Sequence, residues 1–337
     1  MKKLQFLIIA ILVLALLPSL PASAEQVNLE QTSDYKKLTA FGIINEDDDM
    51  LYYEEISRGL FMTYIMRCLS NVSDLIDASK FASPFTDVSE MSLGRDAIVL
   101  AEKLDIIDGS GNNLFEPEEN ITLQEAAKIL VTILGYKDIA EQTGGYPLGY
   151  TVKATELRLF DGCQITEEGY ITPECLVKML MNTMNAEVLR MGTIGVENGE
   201  YTKEYISIRD EIFLNYAFDI YRATGILDST EYTSLDGISE IGSGKVTIDG
   251  QIYEVEESEA PNLLGYYTEC YYRYDENDDL RRTVYIEADE DRNTVVTVSS
   301  EDIAREETST DRFVYYTENE TKSKNMKISK AAVLIYN

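Results

Sequence analysis

The sequence offers few residues for catalytic chemistry. It contains no histidine and no tryptophan. Without His the commonest general base, the usual Ser-His and Cys-His nucleophile pairs and His-containing zinc sites are all excluded. Asp and Glu together number 60, so a pair of carboxylates carries no information by itself. One spacing does stand out. Asp108, Ser110, Asn112, Glu116 and Glu119 occupy relative positions 1, 3, 5, 9 and 12, the order of oxygen ligands in a calcium loop, with Phe115 at the apolar eighth position. Position six is Asn113, where that loop needs Gly, so an ordinary solvated loop is expected here and no cofactor. Asp47-Asp48-Asp49 has no ligand spacing and reads as a solvated turn. The four cysteines, Cys68, Cys163, Cys175 and Cys270, lack CxxC spacing. Cys163 and Cys175 could pair in an oxidising exterior, while Cys68 and Cys270 read as small core residues; no disulfide framework is expected.

Stepping along the chain, the N-terminus predicts export. Lys2-Lys3 precedes an apolar run from Leu4 to Leu17, broken only by Gln5; Pro18 and Pro21 follow, then Ala22-Ser23-Ala24. This is the layout of a cleavable signal peptide over residues 1–24, and the run is short of the ~20 residues that span a bilayer. No later segment is apolar enough to span one. The mature chain is therefore expected to be soluble, with no membrane partner after cleavage. Losing Lys2 and Lys3 takes the formal charge from −31 to −33. Such acidity argues against nucleic acid as a partner, because phosphate contacts need clustered Lys and Arg. A hydrophobic content of 45% places this acidity on a folded surface rather than in a disordered chain.

One unit recurs in the N-terminal half: a helix ending in a Gly-like turn, a polar loop, a Ser or Thr cap and a second apolar helix. In the clearest copy, Leu93–Leu104 reads as the first helix, Ile106-Ile107-Asp108-Gly109 ends it, and Thr122 with Glu125 forms a capping box for a helix over Leu123–Leu134. The first copy runs from Tyr35 through Phe41-Gly42-Ile43-Ile44 to Ser57-Arg58-Gly59. The third runs from Gly145-Tyr146-Pro147 through Leu159-Phe160-Asp161-Gly162 to Thr172-Pro173, with Pro in the first helical turn. Caps lie 65 residues apart (Ser57 to Thr122) and 50 apart (Thr122 to Thr172). Units this small cannot bury their apolar faces alone, so three are expected to pack together.

These residues resemble the S-layer homology repeat. Phe85-Thr86-Asp87-Val88 is similar to its opening F-x-D-V, Leu104-Asp105-Ile106-Ile107-Asp108-Gly109 to its L-G-I-I-x-G, Phe115-x-Pro117 to F-x-P, and Ile121-Thr122-Leu123-Gln124-Glu125 to I-T-R-x-E. The Gly-Tyr-Pro-x-Gly-Tyr opening of the third copy resembles third repeats of clostridial members. The resemblance covers about residues 32–190. It implies a helical module of three repeats, 25–84, 85–143 and 144–190. Grooves between repeats would bind secondary cell-wall polysaccharide, or a peptidoglycan-linked glycan, through Ser57, Arg58, Asp87, Thr122 and Thr172. An anionic ketal suits a guanidinium fork beside a helix N-terminus. The sequence departs from the family at the motif Arg, which survives only as Arg58; Leu123 and Pro173 replace its counterparts, and Leu93 stands for the usual Trp. Arg58 alternatively reads as an exposed helix-start charge without a ligand.

Residues 191–337 change texture and read as a β-rich accessory domain led by one helix. Met191–Thr202 reads as a linker and Ile206–Thr224 as an amphipathic helix. Lys245–Ile248 and Gln251–Val255 flank Asp249-Gly250, a strong hairpin signal. Tyr266–Tyr274, Arg281–Ile286, Asn293–Val298 and Arg312–Tyr316 read as further strands, together a small barrel or curled sheet. On the Tyr-rich strand alternate rings face opposite ways, so ordinary sheet packing is expected over a sugar-stacking platform. The apolar run Val333–Asn337 suggests a chain that continues. The expected class is α+β, and the expected role is non-catalytic attachment at the cell surface. The alternatives are an exported interaction module that has lost wall binding, and the anchoring stub of a carbohydrate-active enzyme.

Overall fold

The computed structural model describes residues 28–69, 77–197, 200–237, 241–256, 260–275, 277, 279–317 and 322–328. The predicted signal peptide and the terminal run Val333–Asn337 lie outside these. The class is α+β, with helices up to Met184 and mostly strands thereafter. No helix among the described residues is long and apolar enough to cross a membrane.

Each copy of the repeated unit supplies a first and a closing helix. The first helices are α1 (Ser33–Ala40), α3 (Arg95–Lys103) and α6 (Leu148–Glu156); the closing helices are α2 (Arg58–Cys68), α4 (Leu123–Ile133) and α7 (Pro173–Met184). A short α5 (Lys137–Gln142) links the second copy to the third. All three first helices end in the same way. Gly42, Asp105 and Arg158 adopt left-handed φ of 80°, 57° and 60°. The amide that follows each then reaches back five residues: Ile43 to Leu38 O, Ile106 to Ala101 O and Leu159 to Ala154 O, each at 2.9 Å. Only the first copy uses Gly at this position, and the other two accept the strain of a side chain there.

The closing helices meet at their N-termini in a closed ring. Ile56 N donates to Ile171 O (2.8 Å), Ile171 N to Ile121 O (3.2 Å) and Ile121 N to Ile56 O (2.9 Å). All three isoleucines are fully buried, so each backbone group satisfies a need that water cannot meet. One residue on, Ser57, Thr122 and Thr172 cap α2, α4 and α7 by accepting from Leu60 N, Glu125 N and Cys175 N. A second set of bonds is incomplete. Arg58 N donates to Glu119 O and Leu123 N to Gly169 O, but Pro173 at the equivalent place has no N–H to give. Helices α2 and α3 cross at Gly59 and Gly94, where a Cβ on either would strike the backbone of the other helix's approach.

The second half departs from the expectations in three places. Residues 191–197 and 200–202, within the span read as a linker, belong to the paired strands β1 (Glu187–Glu197) and β2 (Glu200–Ile212). The long helix expected over Ile206–Thr224 is instead the end of β2, a six-residue α8 (Phe213–Phe218) and the start of β3 (Ile220–Thr230). Ile206, Ile208 and Ile212 fit a period of two as well as one of four, and β-branched residues favour the strand. Asp219, at φ 52°, ends α8. Asn293–Val298 forms no strand.

The remaining strands are β4 (Lys245–Ile248), β5 (Gln251–Glu254), β6 (Tyr267–Asp275) and β7 (Leu280–Ala288), with a separate small hairpin of β8 (Arg312–Tyr315) and β9 (Lys324–Lys327). Asp249 and Gly250 both take positive φ (47° and 77°), as the two-residue hairpin between β4 and β5 requires. Strands β3 to β7 form one mixed sheet in the order β3-β4-β5-β7-β6, and β6 pairs back onto β3. The β5–β7 join is a single parallel pair, Glu254 with Arg282.

The sheet is not an independent body. Leu227, Val246, Ile248, Tyr253 and Cys270 fill its own small core. The main core runs on from the helices through Phe213, Leu214 and Ile220 to Tyr271. Residue alternation on β6 sends Cys270 into the sheet core and Tyr271 against α1, where its ring packs 5.2 Å from that of Phe41.

Candidate glycan-binding groove

Arg58 opens α2 yet is only 8% exposed, so it is not a surface charge. Its Nε donates to Phe115 O at 2.8 Å, its Nη1 to Glu125 Oε1 at 2.5 Å, and its guanidinium lies 4.7 Å from the Phe115 ring centroid. Phe115 belongs to the loop of the second copy, so this one side chain joins two copies. A chain of contacts holds it in place. The Asp87 carboxylate accepts from Phe115 N (3.0 Å) and Glu116 N (2.7 Å), and Phe85 packs 5.5 Å from Phe115. Glu125 completes the capping box by accepting from Thr122 N and Thr122 Oγ1 through Oε2, leaving Oε1 for Arg58. Burial alone would raise the Asp87 carboxyl, but the two loop amides outweigh it and hold the group below the usual carboxylate range.

Beside Arg58 lies a cavity of about 280 Å³, lined also by Asp108, Gly109, Ser110, Phe115, Glu125, Lys128 and Tyr146. Tyr146 comes from the third copy, so all three contribute. Lys128 pairs with Asp108 at 2.9 Å and lies 5.8 Å from the Tyr146 ring centroid. The Lys128 ammonium holds the Asp108 carboxyl below its usual range, and burial raises the Tyr146 phenol. The groove thus offers two cations, each already facing a carboxylate, on an apolar floor of Ile106, Ile107 and Ile129. Hydrogen bonds hold Nε and Nη1 of Arg58, and the same side chain lines the groove.

Of the five residues that the family resemblance nominated, Arg58 alone lines this cavity. Asp87 and Thr122 support it from behind, through Phe115 and Glu125. Ser57 and Thr172 cap their helices, and Thr172 Oγ1 also meets Gln164 O at 3.3 Å. The spacing of the five calcium-loop residues does not translate into one cluster. Asp108 turns to Lys128, Ser110 Oγ donates to Leu114 O, Asn112 and Glu116 take left-handed φ (52° and 62°), and the Glu119 carbonyl accepts from Arg58 N. Among the described residues no three Cys, Asp or Glu side chains are grouped so as to hold a metal ion. Sequence reading missed Lys128 and Tyr146. Lys128 follows Glu125 by three residues and so shares its helix face, a signal that could have found it; Tyr146 arrives through tertiary packing alone.

Residues 84–127 match the S-layer homology domain. Over 138 residues the chain is 28% identical to a protein named "Cell surface protein" from Thermoanaerobacter kivui, covering 41% of this chain and 17% of that one. Over 239 residues it is 22% identical to "Middle cell wall protein" from Brevibacillus brevis, covering 68% of this chain and 22% of that one. The chain therefore spans only about a fifth of these relatives' length. Match and relatives together define the class, a surface protein carrying S-layer homology. Its place is the cell surface or cell wall.

Proposed function

We propose that this chain is exported through cleavage after Ala24 and held non-covalently at the cell wall by three repeats, 25–84, 85–143 and 144–190, in a non-catalytic anchoring role. The ligand in this reading is an anionic wall polysaccharide, bound in the groove where the first and second repeats meet Tyr146 of the third. The observation that carries it is Arg58, a guanidinium fixed between two repeats and lining a cleft that also holds Lys128. A carboxylate on a sugar ring would bridge the two cations while the apolar floor receives the ring's hydrogen-bearing face.

A second reading follows from the same charges. Each cation already has a carboxylate partner, so the groove is internally neutralised and the repeats would serve protein contacts instead. Co-sedimentation of the full mature chain with purified walls separates the two. Wall binding predicts that the chain pellets, that Lys128→Ala and Arg58→Ala weaken pelleting, and that added salt does the same. A chain that stays in the supernatant ends the anchoring reading; equal pelleting by all three proteins ends the assignment of this groove.

A further inference from the structure

Cys163 and Cys175 lie 12 residues apart in sequence and are brought together by the loop that precedes α7. Gly162 turns the chain at φ 75°, and Cys163 N closes onto Phe160 O. The following segment doubles back: Ile165 bridges Ile171, Thr166 N donates to Tyr170 O, and Thr172 Oγ1 reaches Gln164 O. This return sets Cys163 against the first turn of α7, its Sγ 3.6 Å from the carbonyl oxygen of Cys175. Both cysteines are free thiols, Cys163 partly exposed and Cys175 fully buried.

We propose that these two residues are a redox site, closing to an intramolecular disulfide that staples the loop of the third copy to α7. The geometry assigns distinct roles. Cys163 reaches solvent and is the attacking thiol; the Cys175 thiol beside it holds it below the usual thiol range, with Lys178 nearby adding to the effect. Cys175 is pushed up by the same contact and by burial, so it remains a thiol until a neighbour is activated. The oxidant is a low-molecular-weight disulfide. The Cys163 thiolate attacks one of its sulfurs, forming a mixed disulfide and releasing one small thiolate. Cys175 then gives up its proton to that thiolate, attacks the Cys163 sulfur and displaces the second small thiolate. Two protein thiols are oxidised by two electrons, and one small disulfide is reduced to two thiols. The other cysteines cannot take part: Cys68 sits at the end of α2 and Cys270 in the sheet core, both fully buried, with burial raising both thiols. The site is independent of wall binding; it needs only the oxidising exterior that export would provide.

The test treats the purified full chain with oxidised glutathione, blocks remaining thiols with iodoacetamide and maps peptides without reduction. The expected product is a Cys163–Cys175 cross-link with Cys68 and Cys270 alkylated only after unfolding. Cys175→Ser should stop at a glutathione adduct on Cys163, and Cys163→Ser should leave Cys175 unmodified. Closure should also raise the thermal midpoint by roughly 5 °C, reversed by dithiothreitol. Free alkylatable Cys163 after oxidation, or a stable glutathione adduct on Cys163 in the wild-type chain, would overturn the proposal.

Discussion

At the scale of single residues, Arg58 is tied into more than one part of the fold. It stacks on Phe115, bonds its carbonyl and neutralises the carboxylate that caps α4. Arg58→Ala should therefore cost about 2 kcal/mol of stability, because Glu125 loses its partner in a half-buried place. Chemical denaturation of the full chain measures this, and an unchanged midpoint would remove Arg58 from the scaffold. Thr122→Ala should cost about 1 kcal/mol through the lost cap. Arg58 was legible in the sequence as a motif residue but not as a buried one. A helix-start arginine is usually exposed, and its two acceptors lie 57 and 67 residues away.

Among the elements, legibility followed how local the cause was. The caps at Ser57, Thr122 and Thr172 and the turn at Asp249-Gly250 depend on neighbours within a few positions, and the structure has each where the sequence puts it. The stretch Ile206–Thr224 carries Ile208, Ile212, Tyr216 and Ile220 at helical spacing, yet its first part pairs as a strand with Glu187–Glu197. No single-segment pattern identifies a strand whose mate is unrecognised. The crossing of α2 and α3 was equally hidden, since it depends on two glycines 35 residues apart whose backbones touch. Gly59→Ala should cost on the order of 2 kcal/mol by forcing those helices apart. Thermal melting followed by circular dichroism reads it, and a neutral outcome would mean that α3 can slide.

For the whole molecule, the decisive contact is the docking of helices on sheet. Lys37 of α1 is buried between Glu269 and Glu287 and lies 5.3 Å from the Tyr271 ring centroid; Ser33 Oγ donates to Glu287 at 2.6 Å. These partners stand more than 230 residues apart, beyond the reach of any sequence pattern. Burial opposes ionising Glu287, yet Lys37 and Ser33 outweigh it and hold its carboxyl below the usual range. Burial likewise opposes the charge on Lys37, but Tyr271 and the two carboxylates raise it above the usual lysine range. The depressed carboxylate contributes stability above its unfolded value of about 4.3, lost as pH falls through the folded value. The raised lysine contributes below about 10.4, lost only as pH rises past its higher folded value. The thermal midpoint should therefore be level between these limits and fall on the acid side. In Lys37→Met, Glu287 loses its cation and Glu269 keeps only Arg222, which should cost about 3 kcal/mol at neutral pH and reverse the acid trend. Calorimetry across pH 3–8 checks both signs.

The ring of Ile56, Ile121 and Ile171 bears on how such a protein can be inherited. Every member both gives and receives one bond, so a gene copy that dropped any single repeat would break two of the three links at once. Copy number in this architecture is therefore not a dial that descent can turn one step at a time. Three is the count at which the circle closes, because the amide and the carbonyl of each isoleucine are both taken up by the other two.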